Sequence, residues 1–190
     1  MNARRLGRSS YVAYVLLCLV AAVAGFSLFQ MTSQLPVGQT PDTALTAGSE
    51  LIGTKRPAFS LPNLEDKLVS IGRWNGDVLL LNFWATWCSP CRKEMPAIAA
   101  LQADYKQQGF QVVGVAIDSP KAVIRFTKDL GVHYPQLVGQ QNAIAIASRY
   151  GNQQGALPYS VLIDRRGIIR FIKLGALSKE ELKTELLKLL

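Results

Sequence analysis

The sequence predicts an α/β domain, a three-layer fold with a mixed central sheet, preceded by one N-terminal transmembrane helix. Three observations carry this. Short, nearly continuous apolar runs alternate with segments of helical period. The alternation ends in an apolar hairpin, which adds antiparallel strands to the sheet. Finally, Tyr11 to Phe29 contains no charged residue. Those 19 residues would form a helix roughly 28 Å long, close to the hydrocarbon thickness of a bilayer.

The N-terminal region divides simply. Residues 1–10 carry Arg4, Arg5 and Arg8, and no basic residue follows until Lys55. The positive-inside tendency then keeps residues 1–10 cytoplasmic, makes 11–31 an anchor and exports the remainder. A cleaved signal peptide is the competing reading, with Ala22-Val23-Ala24 as the cleavage motif. The apolar run continues through Phe26, Leu28 and Phe29, which favours the uncleaved anchor. Cys18 falls inside this segment as a small apolar residue. Residues 32–50 are rich in Thr, Ser, Gly, Pro and Ala and read as a linker.

Residues 51–190 are expected to form the catalytic domain. Ala58–Leu61 and Leu68–Ile71 suggest a small hairpin. Val78–Trp84 reads as a buried central strand and Pro90–Gln108 as a helix ended by Gly109. Phe110–Ile117 is a second apolar strand. Ser119 and Pro120 then open a helix that Gly131 stops. A short strand at 136–138, a helix at 142–150 and strands at 159–164 and 168–174 follow. Ser178-Lys179-Glu180-Glu181 has the form of a capping box opening the last helix.

Composition excludes several classes. With 49% apolar and 18% charged residues, the chain has enough apolar surface to fold. Three cysteines are too few for a disulfide scaffold. The net charge of +8 invites a nucleic-acid reading, but three of the basic residues belong to the topology signal and the rest are dispersed, so no nucleic-acid partner is expected.

The chemistry concentrates in Trp87-Cys88-Ser89-Pro90-Cys91, between a strand and a helix. Cysteines at i and i+3 lie close enough to bridge. The first sits at a helix N-terminus, where unpaired N–H groups and the macrodipole favour a thiolate. Cys88 is therefore the expected nucleophile, and the more buried Cys91 would resolve the mixed disulfide. A static disulfide more often closes a longer loop. A closed zinc site needs four ligands, whereas residues 51–190 offer two cysteines and His133. Neither metal nor cofactor is expected beyond the redox-active Cys88–Cys91 pair.

The run Phe83-Trp84-Ala85-Thr86-Trp87-Cys88-Ser89-Pro90-Cys91-Arg92-Lys93-Glu94-Met95-Pro96 resembles the signature of membrane-anchored, thioredoxin-like thiol-disulfide oxidoreductases of the TlpA/ResA type, which include the cytochrome c maturation reductants. The resemblance spans Leu51 to Leu190. It implies a thioredoxin-like fold with an insertion, Ser119 to Tyr150, before the third main strand. It also implies that Pro158 is a cis-proline facing the dithiol, and that Leu157 pairs with substrate through its main chain; the residues alone equally allow Pro158 to start an edge strand in trans. Trp87, directly before Cys88, would cover the dithiol and contact partners. Asn82 stands where general thioredoxins carry a buried aspartate, and an amide moves no proton. Glu94 matches a glutamate of this type near the dithiol. Partly buried, it would have a raised pKa and exchange a proton with Cys91; otherwise it is a solvated first-turn acid. Arg92-Lys93 would hold the thiolate or steer acidic partners, or form a solvated face.

The implied activity is reduction of disulfides in exported proteins, apocytochrome c among them, on the periplasmic side of a bacterial inner membrane. A membrane electron donor would re-reduce the pair. Two alternatives have other signatures. A peroxiredoxin-like peroxidase needs Thr at position 85, which is Ala85. A copper-handling thioredoxin-like protein needs CxxxC spacing and a remote histidine.

Overall fold

The computed structural model describes residues 48–190 together with Leu17, Cys18 and Phe26, three positions in helical conformation. The expected anchor at 11–31 and most of the linker at 32–50 lie outside the described residues. Among the described residues no helix is long and apolar enough to cross a membrane.

Seven strands and four α-helices make up the domain. In chain order they are β1 (Ser60–Pro62), β2 (Leu68–Ser70), β3 (Val78–Trp84), α1 (Ser89–Tyr105), β4 (Phe110–Ile117), α2 (Pro120–Asp129), β5 (Gln136–Gly139), α3 (Gln141–Arg149), β6 (Tyr159–Ile163), β7 (Ile169–Leu174) and α4 (Lys179–Leu187). The five-stranded sheet has the order β5-β4-β3-β6-β7. β3 runs parallel to β4, and β4 to β5. β6 is antiparallel to both β3 and β7. The sheet is therefore mixed, as expected, because the βαβ crossovers produce parallel neighbours while the Arg165–Gly167 turn returns β7 beside β6. The segment from α2 through α3 adds β5 to one edge of the sheet.

Local signals account for most boundaries. Every residue of β3 is buried, which is why its sequence does not alternate. A 3-10 turn at Lys106–Gln108 extends α1 to Gly109, whose φ of 78° is the left-handed conformation that a helix stop requires. Ser119 caps α2 through its hydroxyl, with Pro120 in the first turn. The capping box at Ser178 forms only on one side. Ser178 Oγ accepts from Glu181 N at 3.1 Å, while the Glu181 carboxylate instead pairs with Lys173 Nζ at 2.8 Å. A neighbouring cation offers this half-buried acid a better partner than the cap amide does. The N-terminal hairpin is one strand residue shorter than expected at Ile71, which begins a 3-10 turn.

Two hydrophobic cores sit on opposite faces of the sheet. One joins Leu80, Trp84 and Val112 to Cys91, Met95 and Ile98 of α1, and to Leu182 and Leu186 of α4. The other joins Leu81, Phe83, Val113 and Val161 to Ile146 and Ala147 of α3, and to Phe59 and Leu61 beside the small hairpin. Three layers follow from this division.

Candidate active site

The two cysteines are joined by a disulfide with a Cα–Cα distance of 5.3 Å. Cys88 occupies the N-cap of α1, and its sulfur accepts a hydrogen bond from Cys91 N at 3.3 Å. Sulfur thus stands where Ser or Asp stands in an ordinary cap, at the positive end of the helix. That placement favours negative charge on Cys88 after reduction. Pro90 lies in the first turn, where its missing N–H leaves no helical bond unmade. Cys91 is fully buried and Cys88 nearly so. Cys91 lies one helical turn inside, as the spacing predicts.

The loop before the cysteines is tied down from β4. Thr86 N and Thr86 Oγ1 donate to Asp118 Oδ2 at 3.1 and 2.5 Å, and Ser119 N donates to Asp118 Oδ1 at 2.7 Å. Arg92 lies over the Phe126 ring at 5.6 Å, and Trp84 packs on the same ring. Its guanidinium is directed toward α2, while its backbone N–H donates to Cys88 O at 3.2 Å. Trp87 is 70% exposed beside Cys88. At that exposure its ring is open to a partner.

The Leu157–Pro158 peptide bond is cis, as the resemblance implies. Pro158 directly precedes β6, whose first residue, Tyr159, pairs with Phe83. The loop to Cys88 leaves β3 at this same end, so the fold brings the two segments to one end of the sheet. Leu157 is half-buried and packs against the core that contains both cysteines. Pro158 O accepts from Gly175 N at 2.9 Å.

Glu94 is buried, at 5% exposure, and not a solvated acid. Its Oε1 accepts from Asn82 Nδ2 at 2.8 Å and its Oε2 from Leu177 N at 2.7 Å. Burial pushes its pKa up to about 7, with the hydrogen bonds from Leu177 and Asn82 pulling the other way. A groove of about 350 Å³ opens over it, lined by Pro90, Lys93, Ala97, Leu177 and Lys179 among others.

Beneath α1 runs a feature that sequence reading did not assemble. Gln136, Gly114, Asn82, Ser160 and Lys173 lie in register, one on each strand of the sheet. Gln136 Oε1 accepts from Trp84 Nε1 at 2.9 Å, and its side chain lies over Gly114, where a Cβ would overlap it. Asn82 Nδ2 also donates to Ser160 Oγ at 3.0 Å. The signal was present as single polar residues inside apolar strands; only strand register puts them in one row. His133 is exposed, and the two grooves it lines contain neither cysteine.

A helix-capping dithiol, a cis-proline at the same end of the sheet and a buried carboxyl under the helix define a thioredoxin-fold thiol-disulfide oxidoreductase. The comparisons agree. The sequence profile of the AhpC/TSA family matches residues 52–172. Over 173 residues the chain is 32% identical to the thiol-disulfide oxidoreductase ResA of Geobacillus thermodenitrificans, covering 90% of this chain and 91% of that protein. It is likewise 32% identical over 180 residues to the thioredoxin-like protein YneN of Bacillus subtilis, covering 93% and 96%. A crystal structure of a thiol:disulfide interchange protein of the thioredoxin family from Chlorobium tepidum superposes with a TM-score of 0.65 at 28% identity, covering 72% of this chain and 96% of that one. The chain belongs to the AhpC/TSA family and is a thioredoxin-like thiol-disulfide oxidoreductase of the TlpA/ResA type.

Proposed function

We propose that this oxidoreductase works as a reductase of disulfides in exported proteins, apocytochrome c among the candidate clients, at the outer face of a bacterial inner membrane. The observation that carries the chemistry is the Cys88 sulfur at the N-cap, accepting from Cys91 N. In the reduced protein the Cys88 thiolate attacks one sulfur of the client disulfide. A Cys88–client bond forms and the client's other sulfur leaves as a thiolate, which takes up a proton. Cys91 then loses its proton and attacks Cys88 Sγ. The Cys88–Cys91 bond forms and the client's second sulfur departs. The client gains two electrons and the pair loses two, ending in the disulfide seen here. The pair is its own electron carrier, and this reading needs no added metal or cofactor.

Glu94 lies one turn beyond Cys91 on the same helix and titrates near neutral pH, so it suits the proton that Cys91 must give up. Trp87 and Leu157 form the client-facing surface, and the buried cis-Pro158 sets the course of the Leu157 backbone. Resemblance to the TlpA/ResA type supports the reductive direction. The uncharged run Tyr11–Phe29 behind three arginines supports an anchored, exported domain re-reduced by a membrane donor. Peroxide chemistry is disfavoured, because position 85 is a buried alanine and the Thr86 hydroxyl is given to Asp118.

Trapping tests the reading. In the native membrane, Cys91→Ser should accumulate mixed disulfides through Cys88 with both client and donor, identifiable by mass spectrometry. Equal accumulation with Cys88→Ser, or none with Cys91→Ser, would refute it.

A further inference from the structure

Glu94 is buried beside an amide that has two possible faces to show it. As a carboxylate, Glu94 offers acceptors alone, and it meets the NH2 of Asn82. The second hydrogen of that NH2 goes to Ser160 Oγ on the neighbouring strand. Asn82 and Ser160 are fully buried, and Asn82 Oδ1 is also buried, with no hydrogen-bond partner among the described residues. No donor therefore holds the amide oxygen where it is. The orientation of the amide is set by what its nitrogen finds.

We propose that Asn82, steadied by Ser160, is a positioning residue for proton transfer at Glu94, turning its NH2 to the carboxylate and its Oδ1 to the carboxylic acid. The inference rests on the reading of Glu94 as the group that takes the Cys91 proton. When Glu94 is protonated, its O–H needs an acceptor, and the NH2 facing it is none. A half-turn of the amide brings Oδ1 to the O–H. Ser160 follows by rotating its hydroxyl, which donates as readily as it accepts. No bond is made or broken at Asn82, and the proton stays on Glu94. An aspartate at position 82 would add a second buried carboxyl and couple the two titrations. The amide leaves Glu94 as the one buried carboxyl beside the row among the described residues.

Other ionisable groups face Glu94. Lys93 of α1 and Lys179 of α4 line the groove above it. Tyr134, before β5, interacts with it electrostatically and is buried. Cys91 lies one turn back on α1. Lys173 belongs to the same row but is paired with Glu181. None of these reverses with the charge of Glu94 as the Asn82 amide can.

The test is NMR titration of the full-length oxidised protein in detergent, labelled at Glu carboxyl carbons and side-chain amides, with Glu94→Gln for assignment. The Asn82 NH2 resonances should shift with the same midpoint as the Glu94 carboxyl. Asn82→Ala removes both the donor to the carboxylate and the acceptor to the acid; the charge-assisted bond is the stronger of the two, so the proton affinity of Glu94 should rise about ten-fold. Ser160→Ala frees the amide to reverse and should raise it about two- to three-fold. Ser160→Ala deletes one hydroxyl and decides the matter if Asn82→Ala does not fold. An unmoved Glu94 midpoint in the variants that fold, or Asn82 resonances that ignore that midpoint, overturns the proposal. If the midpoints move but the pH profile of thiol exchange does not, Asn82 still positions Glu94, and the proton role of Glu94 is what fails.

Discussion

The two faces of the central sheet are made by the same strands, yet they are chemically opposed. On the α3 face, Leu81, Phe83, Val113, Val115, Leu137 and Val161 form an unbroken apolar core. On the α1 face the apolar core is crossed by Gln136, Asn82 and Ser160, in register beneath the dithiol helix. Buried polar groups cost stability unless they are paired, so a row of them marks where the fold trades stability for chemistry. The apolar face holds the sheet together. The other face gives a buried glutamate a hydrogen-bond partner in Asn82, while burial raises its pKa to about 7.

The largest expected effect lies at the end of the polar face. Cys88→Ser should abolish disulfide exchange in an insulin-reduction assay, leaving only the uncatalysed background, with the thermal midpoint of the reduced protein little changed. A variant that retained turnover would move the nucleophile elsewhere.

On the opposite face the balance should invert. Phe83→Ala removes a fully buried ring that packs near Tyr150 and Tyr159. It should cost about 3–5 kcal/mol in chemical denaturation, while the folded fraction still exchanges disulfides at the wild-type rate. A large loss of activity per folded molecule would erase the division between the faces.

Glu94 yields a pH signature. Its folded pKa is raised to about 7, so between the ordinary carboxyl range and 7 the native state binds more protons than the unfolded chain. Stability should then fall as pH rises through that window, by at most about 3 kcal/mol. Glu94→Gln should flatten this slope and be relatively more stable at pH 8 than at pH 5. Denaturant midpoints across pH measure it; parallel curves for the two proteins would show that Glu94 is not the group responsible.

The smallest effect is expected at Gly114, between the row's polar members. A Cβ there displaces Gln136 Oε1 from Trp84 Nε1. The displaced atom is the end of a flexible side chain, so Gly114→Ala should cost only about 1–2 kcal/mol. The indole N–H resonance of Trp84 should shift with it. An unchanged resonance would mean that the row is not continuous through β4.

Much of this was legible before any tertiary structure. Cys88, Ser89, Pro90 and Cys91 announce a dithiol on a helix N-terminus because capping and spacing are local. Gly109, Gly131 and Ser178 mark helix ends for the same reason. The role of Pro158 came from resemblance, since nothing in its neighbours specifies a cis bond. Glu94 stayed divided between a buried acid and a solvated one, because helical spacing gives a face but not what covers it. The amide of Leu177, 83 positions away in sequence, and the side chain of Asn82 decide that question.

By itself, then, the sequence determined the α/β class, the strand and helix order, the redox pair and the end of the helix that holds it. All of these follow from period, capping and spacing within a few residues. Tertiary structure alone decided that Gln136, Asn82, Ser160 and Lys173 share one row, that Glu94 is desolvated, and that Thr86 is fastened to Asp118. These are contacts across strand register and between distant loops, and a residue's burial and partners are properties of the packed sheet, not of its neighbours in the chain.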